Sequence, residues 1–181
     1  LKEQGRGAIV LPDGFLFGEG MKTRLKERLL EECNLHTIVR LPNGVFNPYT
    51  GIKTNLLFFT KGRPTDWVWY YEHPYPEGVK SYNKTKPMRF EEFQTEIDWW
   101  GSEADRFASR QETPQAWKVS VDEIKARSYN LDIKNPHVAE QANHDPDKLL
   151  KKYAKQQAEI SGLRDQLKTI LAEALNNGGG A

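Results

Sequence analysis

The sequence predicts an α/β fold, with a parallel sheet that ends in an antiparallel strand and a long carboxyl-terminal helix after it. Three observations predict it. Two short apolar runs, residues 7 to 11 and 36 to 41, each close on the same Leu-Pro-x-Gly punctuation, and an amphipathic helical stretch separates them. A third apolar run, residues 54 to 61, follows after about 12 residues without helical pattern, too short a link for a helical crossover. The end of the chain, residues 147 to 175, repeats apolar residues at nearly heptad spacing.

Gly7-Ala8-Ile9-Val10-Leu11 has the pattern of a buried strand, ended by Pro12 and an Asp13-Gly14 turn. Ahead of it, Lys2-Glu3-Gln4 before Gly5 reads as the end of a helix capped by glycine, which makes the chain look like the later part of a longer protein. Met21, Leu25 and Leu29 recur every fourth residue, widened by Leu30 and Cys33, with Lys22, Lys26, Glu27 and Glu31 turned outward. His36-Thr37-Ile38-Val39-Arg40-Leu41 is the next strand, closed by Pro42 and Asn43-Gly44. Strand, helix and strand within about 35 residues make a βαβ unit, a right-handed crossover between parallel strands. Ligands of such sheets lie beyond the carboxyl ends of the strands. Both Leu-Pro-x-Gly turns, and the loop carrying Asn47-Pro48-Tyr49, fall on that edge.

Residues 54 to 61 (TNLLFFTK) are expected to pair as a hairpin and run antiparallel. Trp67-Val68-Trp69-Tyr70-Tyr71 favours a strand, and residues 72 to 88 a loop. A short helix fits residues 89 to 98, with Phe90, Phe93 and Ile97 on one face. Ser120 and Glu123 form a capping box that opens a helix through Ala126. In the last helix Leu149, Tyr153, Ile160, Leu163, Leu167 and Ile170 make a stripe that needs a partner surface or a fold-back.

Composition excludes several classes. With 26 basic against 25 acidic residues, the chain as a whole has no strong pull toward nucleic acid, so a basic surface must be local. One cysteine, Cys33, excludes an intrachain disulfide and fits a reducing cytoplasm. That cysteine and four scattered histidines argue against a zinc site, and no apolar run approaches the roughly 20 residues that span a bilayer. Gly5-Arg6-Gly7 and Gly18-Glu19-Gly20 do not make a phosphate loop. The first precedes a strand, and the second has Thr23 where the fingerprint needs glycine. Cys33 and His36 read as structural. Asn47-Pro48-Tyr49 is sharper, because amino-methyltransferases hold an extruded base with an Asn-Pro-aromatic turn. Here one proline is present, not two, and Gly44-Val45-Phe46 separates the turn from its strand, so locally it is a tight turn.

Taken together, "GRGAIVLPDGFLF", "LHTIVRLPNGVFNPYTGIKTNLLFFTKG" and "WKVSVDEIKARSYNLDIKNP" resemble the carboxyl-terminal half of modification subunits of type I restriction-modification systems. The likeness runs from about residue 5 to residue 137. It implies the carboxyl-terminal part of a Rossmann-like S-adenosylmethionine-dependent methyltransferase sheet, with parallel strands, a last antiparallel strand and a helical extension. Residues 1–63 would end the catalytic domain, 64–137 would form a family-specific extension, and 138–181 a docking helix with a flexible tail.

The resemblance implies a cytoplasmic, site-specific adenine-N6 DNA methyltransferase in the full-length protein. Its partners would be duplex DNA, a specificity subunit, a second modification subunit and a restriction subunit. The glycine-rich cofactor loop and the Asn-Pro-Pro-Phe/Tyr motif belong to earlier strands of the family, so no catalytic or cofactor residue is carried onto this chain. It alone is expected to be inactive, with no S-adenosylmethionine bound. Phe46, Tyr49, Lys53, Thr54 and Asn55 are the candidates for the target-base pocket or DNA contacts. Phe46 or Tyr49 would stack on a flipped adenine, and Lys53 would meet a phosphate. Leu149, Tyr153, Ile160, Leu163, Leu167 and Ile170 are the docking candidates. A rival reading is a non-catalytic interaction module that docks a partner through its last helix.

Overall fold

The computed structural model describes residues 1–138 and 146–177, in two compact units, Leu1–Val138 and Ala139–Ala181. The first is built on a five-stranded sheet, β1 (Arg6–Pro12), β2 (Cys33–Arg40), β3 (Thr54–Lys61), β4 (Trp67–Glu72) and β5 (Ala116–Ser120). The strand order is β1-β3-β2-β4-β5. β3 runs antiparallel to both β1 and β2, so β1 and β2 share a direction without touching. The βαβ expectation therefore holds in direction and is corrected in adjacency. The return from β2 to β3 carries no helix, and β3 fills the gap that the crossover leaves. Nor does the sheet stop at its antiparallel strand, because β4 adds parallel to β2 and β5 antiparallel to β4.

The crossover helix α2 (Met21–Glu32) follows a single turn α1 (Asp13–Leu16). The buried face of α2 is not the expected stripe, for Met21 and Leu25 are exposed, and Lys26, expected to face outward, is buried with Leu30. The Lys26 Nζ donates to the carbonyls of Leu16 (2.7 Å) and Gly18 (2.9 Å). Those bonds occupy the Gly18-Glu19-Gly20 loop with a structural task, and burial first, then Lys22, lowers the lysine's pKa. At the start of the chain the left-handed residue is Gln4 (φ 58°) and not Gly5, whose N–H closes a turn onto the Lys2 carbonyl.

Alternation along the central strands builds two apolar layers. Leu35, Ile38, Leu57, Tyr70 and Trp117 lie in one core, and Val39, Leu41, Tyr71 and Ala116 in the other. Cys33 through Val39 are all buried, whereas β1, expected as a buried strand, is an edge strand with Ile9 and Val10 exposed, because only β3 pairs with it. The thiol of Cys33 is buried, and that burial pushes its pKa up. Tyr70 stacks on Trp117 and its hydroxyl donates to the Leu131 carbonyl at 3.0 Å, which draws residues 131 to 133 under the sheet.

β5 lies where the sequence predicts only the approach to a capped helix. Its pattern is nonetheless regular, with Trp117 and Val119 buried and Lys118 exposed. Ser120 Oγ accepts from the Glu123 N–H at 3.2 Å and opens α4 (Val121–Ala126). The helix expected over residues 89 to 98 begins as a 3-10 turn (Phe90–Phe93) and continues as α3 (Gln94–Trp99). Phe90 and Ile97 are exposed, against expectation, and Glu96 is the buried residue, bonded to His73 Nδ1. A buried hydrogen-bonded pair orients this helix together with Phe93 and Trp99, which pack against the second core.

The second unit contains one described helix, α5 (Pro146–Asn177). Tyr153, Ile160, Leu163, Leu167 and Ile170 are exposed along it, and the side chain of Leu149 lies outside the described residues. Among the described residues, no helix is long and apolar enough to cross a membrane.

Candidate functional site

The carboxyl ends of β1, β2 and β4 meet the start of β3 at one edge of the sheet, around a cleft of about 240 Å³. Asp13, Arg40, Lys53, Asn55, Glu72 and His73 supply its polar lining. Backbone hydrogen bonds set these residues in place. The Asp13 N–H donates to the Lys53 carbonyl and the Leu41 N–H to the Thr54 carbonyl, both at 3.0 Å. Both Leu-Pro-x-Gly turns are therefore fastened to the chain entering β3. Gly44 is required in the second turn, since its φ is +83° and a Cβ there would sit 2.6 Å from the Tyr82 carbonyl oxygen.

Side chains complete the frame. Asn55 is fully buried, and its Nδ2 donates to Asp13 Oδ1 at 2.7 Å. Arg40 reaches Asp132 Oδ1 through Nη2 (2.7 Å) and the Ile133 carbonyl through Nη1 (3.0 Å), with Asp13 Oδ1 a further 4.0 Å from Nη2. Arg40 thus acts chiefly as a clamp. Lys53 is exposed and has no ion pair among the described residues. Asn55 Oδ1, Thr54 Oγ1 and His73 Nε2 are buried without hydrogen-bond partners. A polar cleft with the unpaired Asn55 amide oxygen at its wall and one free cation can receive a hydrogen-bond donor and a phosphate.

The structure separates the five sequence candidates. Lys53 and Asn55 line the cleft, and Thr54 is buried between them. Phe46 and Tyr49 lie outside its lining, on the neighbouring loop, where Tyr49 is 93% exposed. Asn47 Nδ2 donates to the Tyr82 carbonyl at 3.1 Å, which gives the asparagine a local, turn-closing task. Asp13 and Arg40 were within reach of sequence reading, because they flank the two Leu-Pro pairs. Glu72 and His73 carry no such signal.

The sheet is a mixed α/β one, and solved structures from type I restriction-modification systems share it. One chain from a structural study of complex assembly in a type I R-M system gives a TM-score of 0.71 at 34% identity, covering 99% of this chain and 37% of that one. The crystal structure of the EcoKI M protein gives 0.62 at 28% identity, covering 92% and 42%. The chain belongs to the N-6 DNA methylase family, whose model matches residues 1–145. The methylase subunit of the Escherichia coli type I restriction enzyme EcoEI is 70% identical over all 181 residues. The EcoKI methylase subunit of Escherichia coli K12 is 35% identical over 130 residues, 67% of this chain. The chain spans 37% of the length of the first relative and 24% of the second.

Proposed function

We propose that this chain is the carboxyl-terminal part of a type I modification subunit which, as a whole protein, methylates adenine N6 at specific sites in duplex DNA. The observation that carries the proposal is 70% identity over all 181 residues to a type I methylase subunit. On this reading residues 1–63 complete the catalytic sheet, residues 64–137 extend it, and the edge with Lys53 and Asn55 forms part of the target-base or DNA-contact surface. Phe46 and Tyr49 serve that surface as aromatic groups on the adjoining loop.

S-adenosylmethionine would supply the methyl group to the whole enzyme, in the reducing cytoplasm. On this reading no described residue of this chain is assigned to its site. The one glycine loop that leads into a helix is separated from β1 by α1, and its Gly18 carbonyl is taken by Lys26. This chain's share is therefore binding and assembly, and no chemical step is assigned to it.

Assembly belongs to residues 138–181, above all to α5. Its exposed stripe supports docking on the specificity subunit, in a complex with a second modification subunit and the restriction subunit. The same stripe supports the second reading, an interaction module without catalysis. One experiment separates them. The full-length protein, purified with its specificity subunit, should transfer labelled methyl groups from S-adenosylmethionine to adenine in duplex DNA. Replacing Ile160, Leu163 and Leu167 by Asp should abolish co-purification and transfer together while residues 1–137 stay folded. An intact complex that transfers no methyl group leaves the module reading, and unchanged assembly of the triple variant removes the docking role.

A further inference from the structure

A second cleft, of about 340 Å³, opens at the opposite edge of the sheet, among the amino-terminal ends of β2 and β4. Its charge is one-sided. Arg63, Arg106, Arg110 and Lys118 line it against one carboxylate, Asp66. None of the four cations forms an ion pair among the described residues.

Arg110 is the centre of the imbalance, at 5% exposed. Its Nε donates to the Trp100 carbonyl (2.7 Å), and its Nη1 to Thr37 Oγ1 (2.9 Å) and the His36 carbonyl (3.3 Å). All three acceptors are neutral, and Nη2 is buried with no partner. The guanidinium is packed against Phe107, Trp99 and Trp100, with ring centroids 3.8, 4.5 and 5.1 Å away. A whole positive charge has been taken out of water without a counter-ion, and burial pulls its pKa down to about 9. An anion in the cleft would offset that cost.

The surrounding backbone is shaped for the same spot. The pairing of β2 with β3 slips between Leu35 and Thr37, so His36 is an extra, bulged residue beside the cleft. Arg106 and Phe107 both hold left-handed conformations (φ 56° and 58°), which put the Phe107 ring on Arg110 and 4.6 Å from the His36 ring. His36 adds no second positive charge beside Arg110. Burial, then Arg110 and Arg63, press its pKa down to about 3, so it stays neutral. Besides His36, the aromatic lining is Trp69 and Phe107, both buried, and Trp67, which is exposed and has Lys118 Nζ over one face of its ring, 4.5 Å from the centroid.

We propose that this cleft binds a nucleotide unit, with its phosphate among Arg63, Arg106, Arg110 and Lys118 and its base stacked on Trp67. Guanidinium groups favour phosphate oxygens, and an exposed indole beside them takes the flat face of a base. The unit can be a free nucleotide or one residue of a single strand, and the proposal does not depend on the methyltransferase reading.

Tryptophan fluorescence of the full chain, titrated with dAMP, deoxyadenosine and a short oligothymidylate, tests it. dAMP should produce a saturable change that pyrophosphate reverses, and deoxyadenosine, lacking phosphate, should not. The double variant Arg63→Ala/Arg106→Ala, which leaves the buried Arg110 in place, should weaken binding about tenfold or more with unchanged circular dichroism. If the oligonucleotide binds more tightly than dAMP and with a steeper salt dependence, the natural ligand is a strand; if not, it is a free nucleotide. The proposal fails if neither dAMP nor the oligonucleotide gives a saturable response by about 1 mM, or if deoxyadenosine binds as well as dAMP. It fails equally if the double variant binds as the parent does.

Discussion

The two edges of this sheet treat positive charge in opposite ways. At the carboxyl edge Arg40 is matched, with the Asp132 carboxylate at 2.7 Å and Asp13 within 4.0 Å. At the amino edge Arg110 is buried more deeply, yet bonds only to neutral oxygens. A cation matched by the protein's own carboxylates is part of the frame, while one left unmatched is available to a ligand. By that criterion the free cation of the carboxyl edge is Lys53, and those of the amino edge form a group of four.

The comparison breaks most readily at the arginines. Arg40→Met strands the Asp132 carboxylate and the Ile133 carbonyl, and should cost about 2–3 kcal/mol in urea unfolding. Arg110→Met loses three hydrogen bonds but also removes a desolvated charge, so its net loss should be smaller, about 1 kcal/mol. The reverse order would mean that Arg110 is the better satisfied of the two.

An effect of comparable size is expected with pH. His36 in the folded chain sits at about 3 against its ordinary 6.5, so the unfolded chain takes up the proton first. The resulting stability is complete above 6.5 and is lost as pH falls toward 3, by at most about 1.4 kcal/mol per pH unit from this one proton. Urea midpoints at pH 7 and pH 5 should differ less in His36→Gln than in the parent. An acid dependence of equal size in the two proteins would show that burial, with Arg110 and Arg63, does not hold this ring neutral. The smallest effect belongs to Tyr49→Ala. A side chain 93% exposed should change stability by less than about 0.5 kcal/mol, and a larger loss would place Tyr49 in the frame and not on a contact surface.

Much of the fold was legible because its elements are local. The apolar runs of β1 through β4, the extent of α2 and the Ser120 cap are each visible within a dozen residues, but the face α2 buries was not, since Met21 and Leu25 are exposed and Lys26 is buried. Strand order was not. Direction follows from link length, but nothing local says that β3 inserts between β1 and β2. β5 was hidden by its brevity, with Trp117 and Val119 its only inward apolar pair beyond Ala116. The sites divide along the same line. Leu-Pro-x-Gly punctuation marks the carboxyl edge, and Lys53 and Asn55 follow from it. Asn47-Pro48-Tyr49 catches the eye as a motif, yet its asparagine is spent on the Tyr82 carbonyl, 35 residues away. Arg110 meets Thr37 across 73 residues, and no spacing rule could join them.

The account turns most directly on whether the carboxyl edge meets DNA. Methyl transfer to a duplex bearing the recognised site should be measured with the full-length protein in complex with its specificity subunit, comparing Lys53→Ala with Lys125→Ala, an exposed lysine of α4. The account predicts that Lys53→Ala weakens DNA binding or transfer by about tenfold, the loss of a charged phosphate contact, while Lys125→Ala matches the parent. Equal activity of the two variants would contradict it.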